Sequence, residues 1–112
     1  MNLFRLFLCV LFVSLLIYTI ITISNHGWNL LPIFFGDVKA MTWPGQFNFD
    51  FFGFLLLSGF WVSWRNNYTP TGTVLGLVAV FGGILFLSAY LFYLSFQTKG
   101  DIKQMMLGKN RT

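Results

Sequence analysis

The sequence predicts an all-α fold: an integral membrane three-helix bundle with an interfacial or re-entrant segment between the first and second helices. Three observations carry this. Of the 112 residues, 56% are hydrophobic and 9% are charged, whereas a soluble domain carries about 25% charged residues. The apolar residues gather in three long runs, over 3–24, 47–64 and 73–96. The basic residues gather outside those runs, with Lys99, Lys103, Lys109 and Arg111 in a tail over 97–112. One transmembrane domain is expected, with no separate soluble module.

The first run would cover about 33 Å at helical rise, enough to cross a hydrocarbon core of about 30 Å. Its one charge, Arg5, lies near an end from which the side chain can snorkel to the interface. A secretory signal peptide would have an apolar region of about 7–15 residues and a fuller basic flank. A retained helix is therefore expected.

Residues 25–46 mix Trp28, Leu30, Leu31, Ile33, Phe34 and Phe35 with His26, Asp37 and Lys39. Pro32 and Gly36 interrupt a stretch already too short to span, so an interfacial segment anchored by Trp28 and Trp43 is expected.

The second run follows Gly45 and closes at Arg65, Asn66 and Asn67, and the third follows the turn Thr69-Pro70-Thr71-Gly72. So short a connection makes the two antiparallel neighbours. The third run carries a stripe of Gly72, Gly76, Ala79, Gly83, Phe86, Tyr90, Tyr93 and Gln97, spaced alternately by four and three. Its small members, Gly72, Gly76, Ala79 and Gly83, let helix backbones approach closely.

Three crossings put the two termini on opposite sides. The side of Lys39 and the tail is the more basic, since only Arg5 and Arg65 lie on the other. The positive-inside rule then places the carboxyl terminus and residues 25–46 in the cytoplasm, with the tail at anionic headgroups. The net charge of +4 thus reads as an orientation signal, and nucleic acid is not an expected partner.

Asp50 is the one carboxylate inside the three runs, and an intramembrane charge must face other helices, a wet cavity or a partner. With three straight helices, the end of helix 1, the start of helix 2 and the end of helix 3 share a leaflet. That half could collect Tyr18, Thr22, His26, Asn48, Asp50, Tyr90 and Tyr93, with Ser95 a further candidate. On helix 1, Ser14, Tyr18, Thr22 and Asn25 or His26 recur at spacings of three and four, along one face. The cluster reads either as a hydrogen-bonded clasp or as a site that binds a polar group or passes a proton, and Asp50 could equally face another protein.

Catalysis finds no support, because there is no Gly-rich phosphate loop, no zinc-protease helix and no nucleophile paired with histidine and acid. One histidine, one cysteine and no glutamate argue against a metal site. No cofactor is expected, and axial ligation of a haem or pigment by His26 rests on a single residue at a helix end. Cys9, alone in an apolar run, reads as a small hydrophobe.

The stretch Met41-Thr42-Trp43-Pro44, through Phe49-Asp50-Phe51-Phe52 to Trp61-Val62-Ser63-Trp64-Arg65, resembles a family of small membrane proteins of plants and bacteria. The family is catalogued as domain of unknown function fourteen-seventy-five. Ser88-Ala89-Tyr90 and Met106-Leu107-Gly108 are similar to its Cys-Ala-Tyr segment and Leu-Leu-Gly ending. The chain departs from the pattern where Pro44 follows the tryptophan and where Phe52 and Trp64 replace tyrosines. The resemblance implies a multi-helix membrane protein with Asp50 and Tyr90 in family positions, and implies no activity.

Two functions are expected in order: first, a non-enzymatic accessory or structural subunit of a membrane assembly, partnered by another membrane protein or by copies of itself. The alternative is a binder or carrier of a small amphipathic ligand such as a lipid, quinone or pigment, or a proton or ion pathway, using Asp50 with Tyr90 and Tyr93.

Overall fold

The structure, a computed structural model, describes residues 1–111, residue 110 by its backbone. Among these residues it is all-helical: α1 (Asn2–His26), α2 (Leu30–Ala40), α3 (Trp43–Arg65), α4 (Pro70–Gln97), α5 (Ile102–Leu107) and a 3-10 turn (Lys109–Arg111). The expected count of three helices is corrected to five.

Both additions have local causes. Gly27 (φ 72°) and Met41 (φ 57°) turn the chain on either side of α2, so the segment expected to be interfacial holds a helix of 11 residues. Pro44 occupies the first turn of α3, where its missing N–H costs nothing, and the helix therefore starts at Trp43 rather than at 47. In the tail, the Asp101 carboxylate accepts from the Gln104 N–H at 3.2 Å and caps α5, and Gly108 (φ 85°) ends it.

Gly83 decides the topology. Its backbone (φ 55°, ψ −139°) is non-helical and lies in a region that favours glycine, and it breaks α4 into segments 70–82 and 84–97. A straight helix would separate residues 72 and 90 by about 27 Å. Yet a Cβ on Gly72 would lie 2.5 Å from Asn66 Cβ, and the Tyr90 hydroxyl accepts from Asn66 Nδ2 at 2.9 Å. The helix doubles back at Gly83 as a hairpin, each arm about 20 Å long.

The first arm packs on α3 through small residues. A Cβ on Gly76 would clash with Ser63 Oγ, and one on Gly59 would lie 2.9 Å from the Gly76 carbonyl oxygen. Gly72, Gly76 and Ala79 are buried along this arm. Gly83 differs, because it makes the reversal, where its Cβ position lies 3.5 Å from the Leu55 and Phe51 side chains of α3.

The second arm packs on the first half of α1, running antiparallel. Arg5 meets Ser95, while Leu8, Phe12 and Val13 border a crevice with Ser88, Ala89 and Phe92. At the other end α2 folds over the start of α3, where Asn48 Nδ2 donates to the Phe34 carbonyl at 3.1 Å. The closely packed residues, Val62, Ala79, Leu94, Ser95 and Met105, are at most 2% exposed, and they lie along the hairpin and its junction with the tail.

This path overturns the expected placement of the termini. α1 leads away, α3 returns, and α4 goes out and back, so Met1 packs 3.5 Å from the Cβ position of Gly100. Both ends of the described chain, with the Asn66–Thr69 turn, share one end of the molecule, and the 25–46 segment lies at the other. The basic end holds Arg5, Arg65, Lys99, Lys103, Lys109 and Arg111 against Asp101, a formal +5. The far end holds Lys39 against Asp37 and Asp50, a formal −1, which together restore the net +4.

α1 and α4 are each long and apolar enough to cross a membrane. The reversal at Gly83 halves the reach of α4.

Candidate functional site

The polar cluster expected around Asp50 is divided by the reversal. Asp50 is exposed beside Lys39 and Gln46 in an open cavity of about 750 Å³ between α2 and α3. Tyr18, Thr22 and His26 are exposed toward the far end of α1, and the Thr22 hydroxyl bonds back to the Tyr18 carbonyl at 2.9 Å. The Ser14, Tyr18, Thr22 and His26 stripe therefore faces outward, because Phe4, Leu8, Leu11, Phe12 and Leu15 form the more covered face of that helix. Asn48 serves α2. Tyr90 belongs to the basic end, held by Asn66, edge-on to Trp61 at 6.2 Å and stacked on Phe86 at 5.4 Å. Tyr93, also on the second arm of α4, is 60% exposed.

The basic end instead carries a set of contacts that sequence reasoning missed. A helix leaves its last carbonyls without intrahelical donors, and they form the negative end of its dipole. Each of the three arginines meets one such end. Arg5 donates to the Ser95 carbonyl at 2.8 Å and to Ser95 Oγ at 2.9 Å, near the end of α4. Arg65, only 9% exposed, donates from Nε to the Met105 carbonyl at 2.5 Å and from Nη2 to the Gln104 carbonyl at 3.2 Å, at the end of α5. Arg111 donates to the Trp64 carbonyl at 2.7 Å, at the end of α3.

Aromatic rings complete the contacts. The Arg5 guanidinium lies 3.9 Å from the Phe96 ring centre and that of Arg111 lies 3.9 Å from the Trp64 ring centre, cation–π geometry in both cases. Trp61 Nε1 donates to the Met106 carbonyl at 2.9 Å, so the final carbonyls of α5 accept from two residues of α3. Gly108 permits the close approach, because a Cβ there would lie 2.7 Å from the Arg65 carbonyl oxygen.

Two cavities flank α5. One, of about 590 Å³, is polar and is bounded by Arg65, Asn66, Asn67, Thr69, Gln97, Thr98, Lys99, Gln104 and Lys109. The other, of about 740 Å³, is apolar and is bounded by Met1, Phe4, Trp61, Leu87, Leu91, Met105 and Met106. The short helix thus separates a hydrogen-bonding, cationic chamber from a greasy one. Among the described residues no group of three His, Cys, Asp or Glu side chains could hold a metal ion.

The signals for this site were present but local. Gly82-Gly83 stand together inside an apolar run, and Trp61, Trp64 and Arg65 cluster at the end of α3. Comparison with protein-family models, with curated proteins and with solved structures gives no match.

Proposed function

We propose that the chain is an integral membrane protein acting as a non-enzymatic accessory or structural subunit of a larger membrane assembly, built with other proteins or with copies of itself. The observation that carries this is the state of α1, in which Leu8 is the one buried residue of 25. Its partner within the chain, the second arm of α4, reaches only its first half. Leu16, Ile17, Ile20 and Ile21 are each at least 36% exposed, an apolar face that lipid or another transmembrane helix would cover.

In this reading α1 and α3 cross the bilayer, α4 enters and leaves from the basic side as a re-entrant hairpin, and α2 lies at the far interface. A re-entrant segment is tolerated where protein covers it, as α1 and α3 do here. The charge difference between the ends supports a cytoplasmic basic end carrying both termini. Separation of Asp50 from Tyr90 and Tyr93 removes the support for a ligand site or proton path built on those three.

Mild extraction from cells at native expression, followed by crosslinking and native gel electrophoresis, tests the proposal. A discrete species larger than the 12.9 kDa chain with its lipid is expected. A monomer alone would overturn it.

A further inference from the structure

We infer that the polar chamber of the basic end binds a phosphate-bearing anion, with Arg65 and Lys99 supplying charge and Asn67, Gln97 and Gln104 supplying hydrogen bonds. This goes beyond the assembly role and depends on the membrane placement only for the source of the ligand. A lipid headgroup and a free phosphate share the chemistry.

The first argument is the balance of charge. Arg65 is 9% exposed and its hydrogen bonds go to neutral carbonyls. Neutral carbonyls satisfy a guanidinium's donors without cancelling its charge, and a buried cation is costly until an anion does so. Among the described residues no Asp or Glu side chain lines the chamber. Among the described residues the acidic side chain at this end is that of Asp101, which accepts from the Gln104 N–H at the start of α5.

The second argument is shape. At about 590 Å³ the chamber is of small-molecule size, within the usual range of about 300–1,000 Å³. Two of its walls are chain reversals held in left-handed backbone, Asn67 at φ 60° and Lys99 at φ 55°. Such conformations are uncommon for residues other than glycine, and here they set an amide and an ammonium on the rim of one cavity.

The third argument is what lies across α5. Gln104 faces the polar chamber, while its neighbours Met105 and Met106 line the apolar cavity of about 740 Å³. An amphipathic ligand would find both of its chemistries at this end, which favours the phosphate of an anionic lipid over a free ion.

The test uses the purified full chain. Native mass spectrometry after exchange from mixed phosphatidylglycerol and phosphatidylcholine nanodiscs reads lipid retention. Titration with inorganic phosphate, followed by phosphorus NMR, reads the free anion. The variants are Lys99→Asn, which keeps a residue tolerant of left-handed backbone, and Gln97→Glu, which adds a repelling charge. Lys103→Asn, outside the chamber, is the control, and thermal unfolding verifies that each variant folds.

Retention of phosphatidylglycerol that falls about ten-fold in both variants but not in the control is expected, the size of one lost charge-assisted bond. Phosphate binding with the same dependence, without lipid selectivity, would uphold the site and assign it to a free anion. No selectivity for either ligand, or an equal loss in Lys103→Asn, would overturn it. Membrane fractionation is scored separately: a soluble chain that still binds phosphate would fail the membrane placement and leave the site standing.

Discussion

Arg65 and Arg111 cap each other's helices. Arg65, the last residue of α3, donates to the final carbonyls of α5, and Arg111, beyond α5, donates to the Trp64 carbonyl near the end of α3. Each cation sits at the negative end of the other segment's dipole, and Gly108 brings the two backbones together. The tail is thereby locked onto the bundle by charge-assisted hydrogen bonds rather than by a large apolar face.

Removing either arginine should release the tail. Arg111→Ala should cost about 1–3 kcal/mol, the range for losing a hydrogen bond to a charged group together with a ring contact. Arg65→Ala should cost more, because it strips donors from two carbonyls of α5. Arg65→Lys should not restore stability, since an ammonium lacks the planar fork. Hydrogen exchange of the α5 amides and thermal unfolding measure this, and slow exchange in Arg111→Ala would refute the clasp.

The hairpin should fail when its hinge gains a side chain. Gly83→Ala places a Cβ on a backbone at φ 55° and ψ −139°, at a cost of about 1–3 kcal/mol. Gly76→Ala should be at least as damaging, because its Cβ would clash with Ser63 Oγ and lie 2.7 Å from the Gly59 carbonyl oxygen. Denaturation of the two variants in matched detergent gives the comparison. An unchanged Gly83→Ala would mean that the reversal is not fixed by the backbone of this residue.

These glycines also mark where the sequence was legible. Apolar composition declared an all-helical chain with membrane-length helices, and the structure sets Gly76 of the small-residue stripe against Gly59 and Ser63 of α3. Hydropathy could not reveal the reversal, because Gly82 and Gly83 sit in a run that stays apolar on both sides. That one residue carries the error in topology. Treating 73–96 as straight moved Tyr90 to the wrong end, paired it with Asp50, and set the termini apart. The arginines were missed for another reason: their partners are backbone carbonyls, and carbonyls leave no mark in a sequence.

Arg5 should anchor α1. Its guanidinium joins Ser95 and the Phe96 ring to a helix that, among the described residues, makes no other side-chain hydrogen bond to the rest of the chain. Arg5→Ala should destabilise by about 1–3 kcal/mol, whereas Ser95→Ala, which leaves the carbonyl acceptor in place, should cost about 1 kcal/mol or less. Equal losses in unfolding experiments would show that the hydroxyl, not the carbonyl, holds α1.

Asp50→Asn should be nearly silent. The carboxylate is exposed and has no hydrogen-bond partner among the described residues, and substitutions at such positions stay within about 0.5 kcal/mol. Unfolding and native electrophoresis of this variant are expected to match the wild type. A marked loss of assembly would restore Asp50 as an interface residue.

The proposed path takes the chain through two crossings and a half-depth hairpin, with both ends of the described chain on one side. In a Cys9→Ser background, single replacements Asn2→Cys, Lys103→Cys and Met41→Cys are labelled with a membrane-impermeant maleimide in oriented vesicles. Positions 2 and 103 should react from the same side and position 41 from the other. Labelling of 2 and 103 from opposite sides would contradict the hairpin and restore three straight crossings.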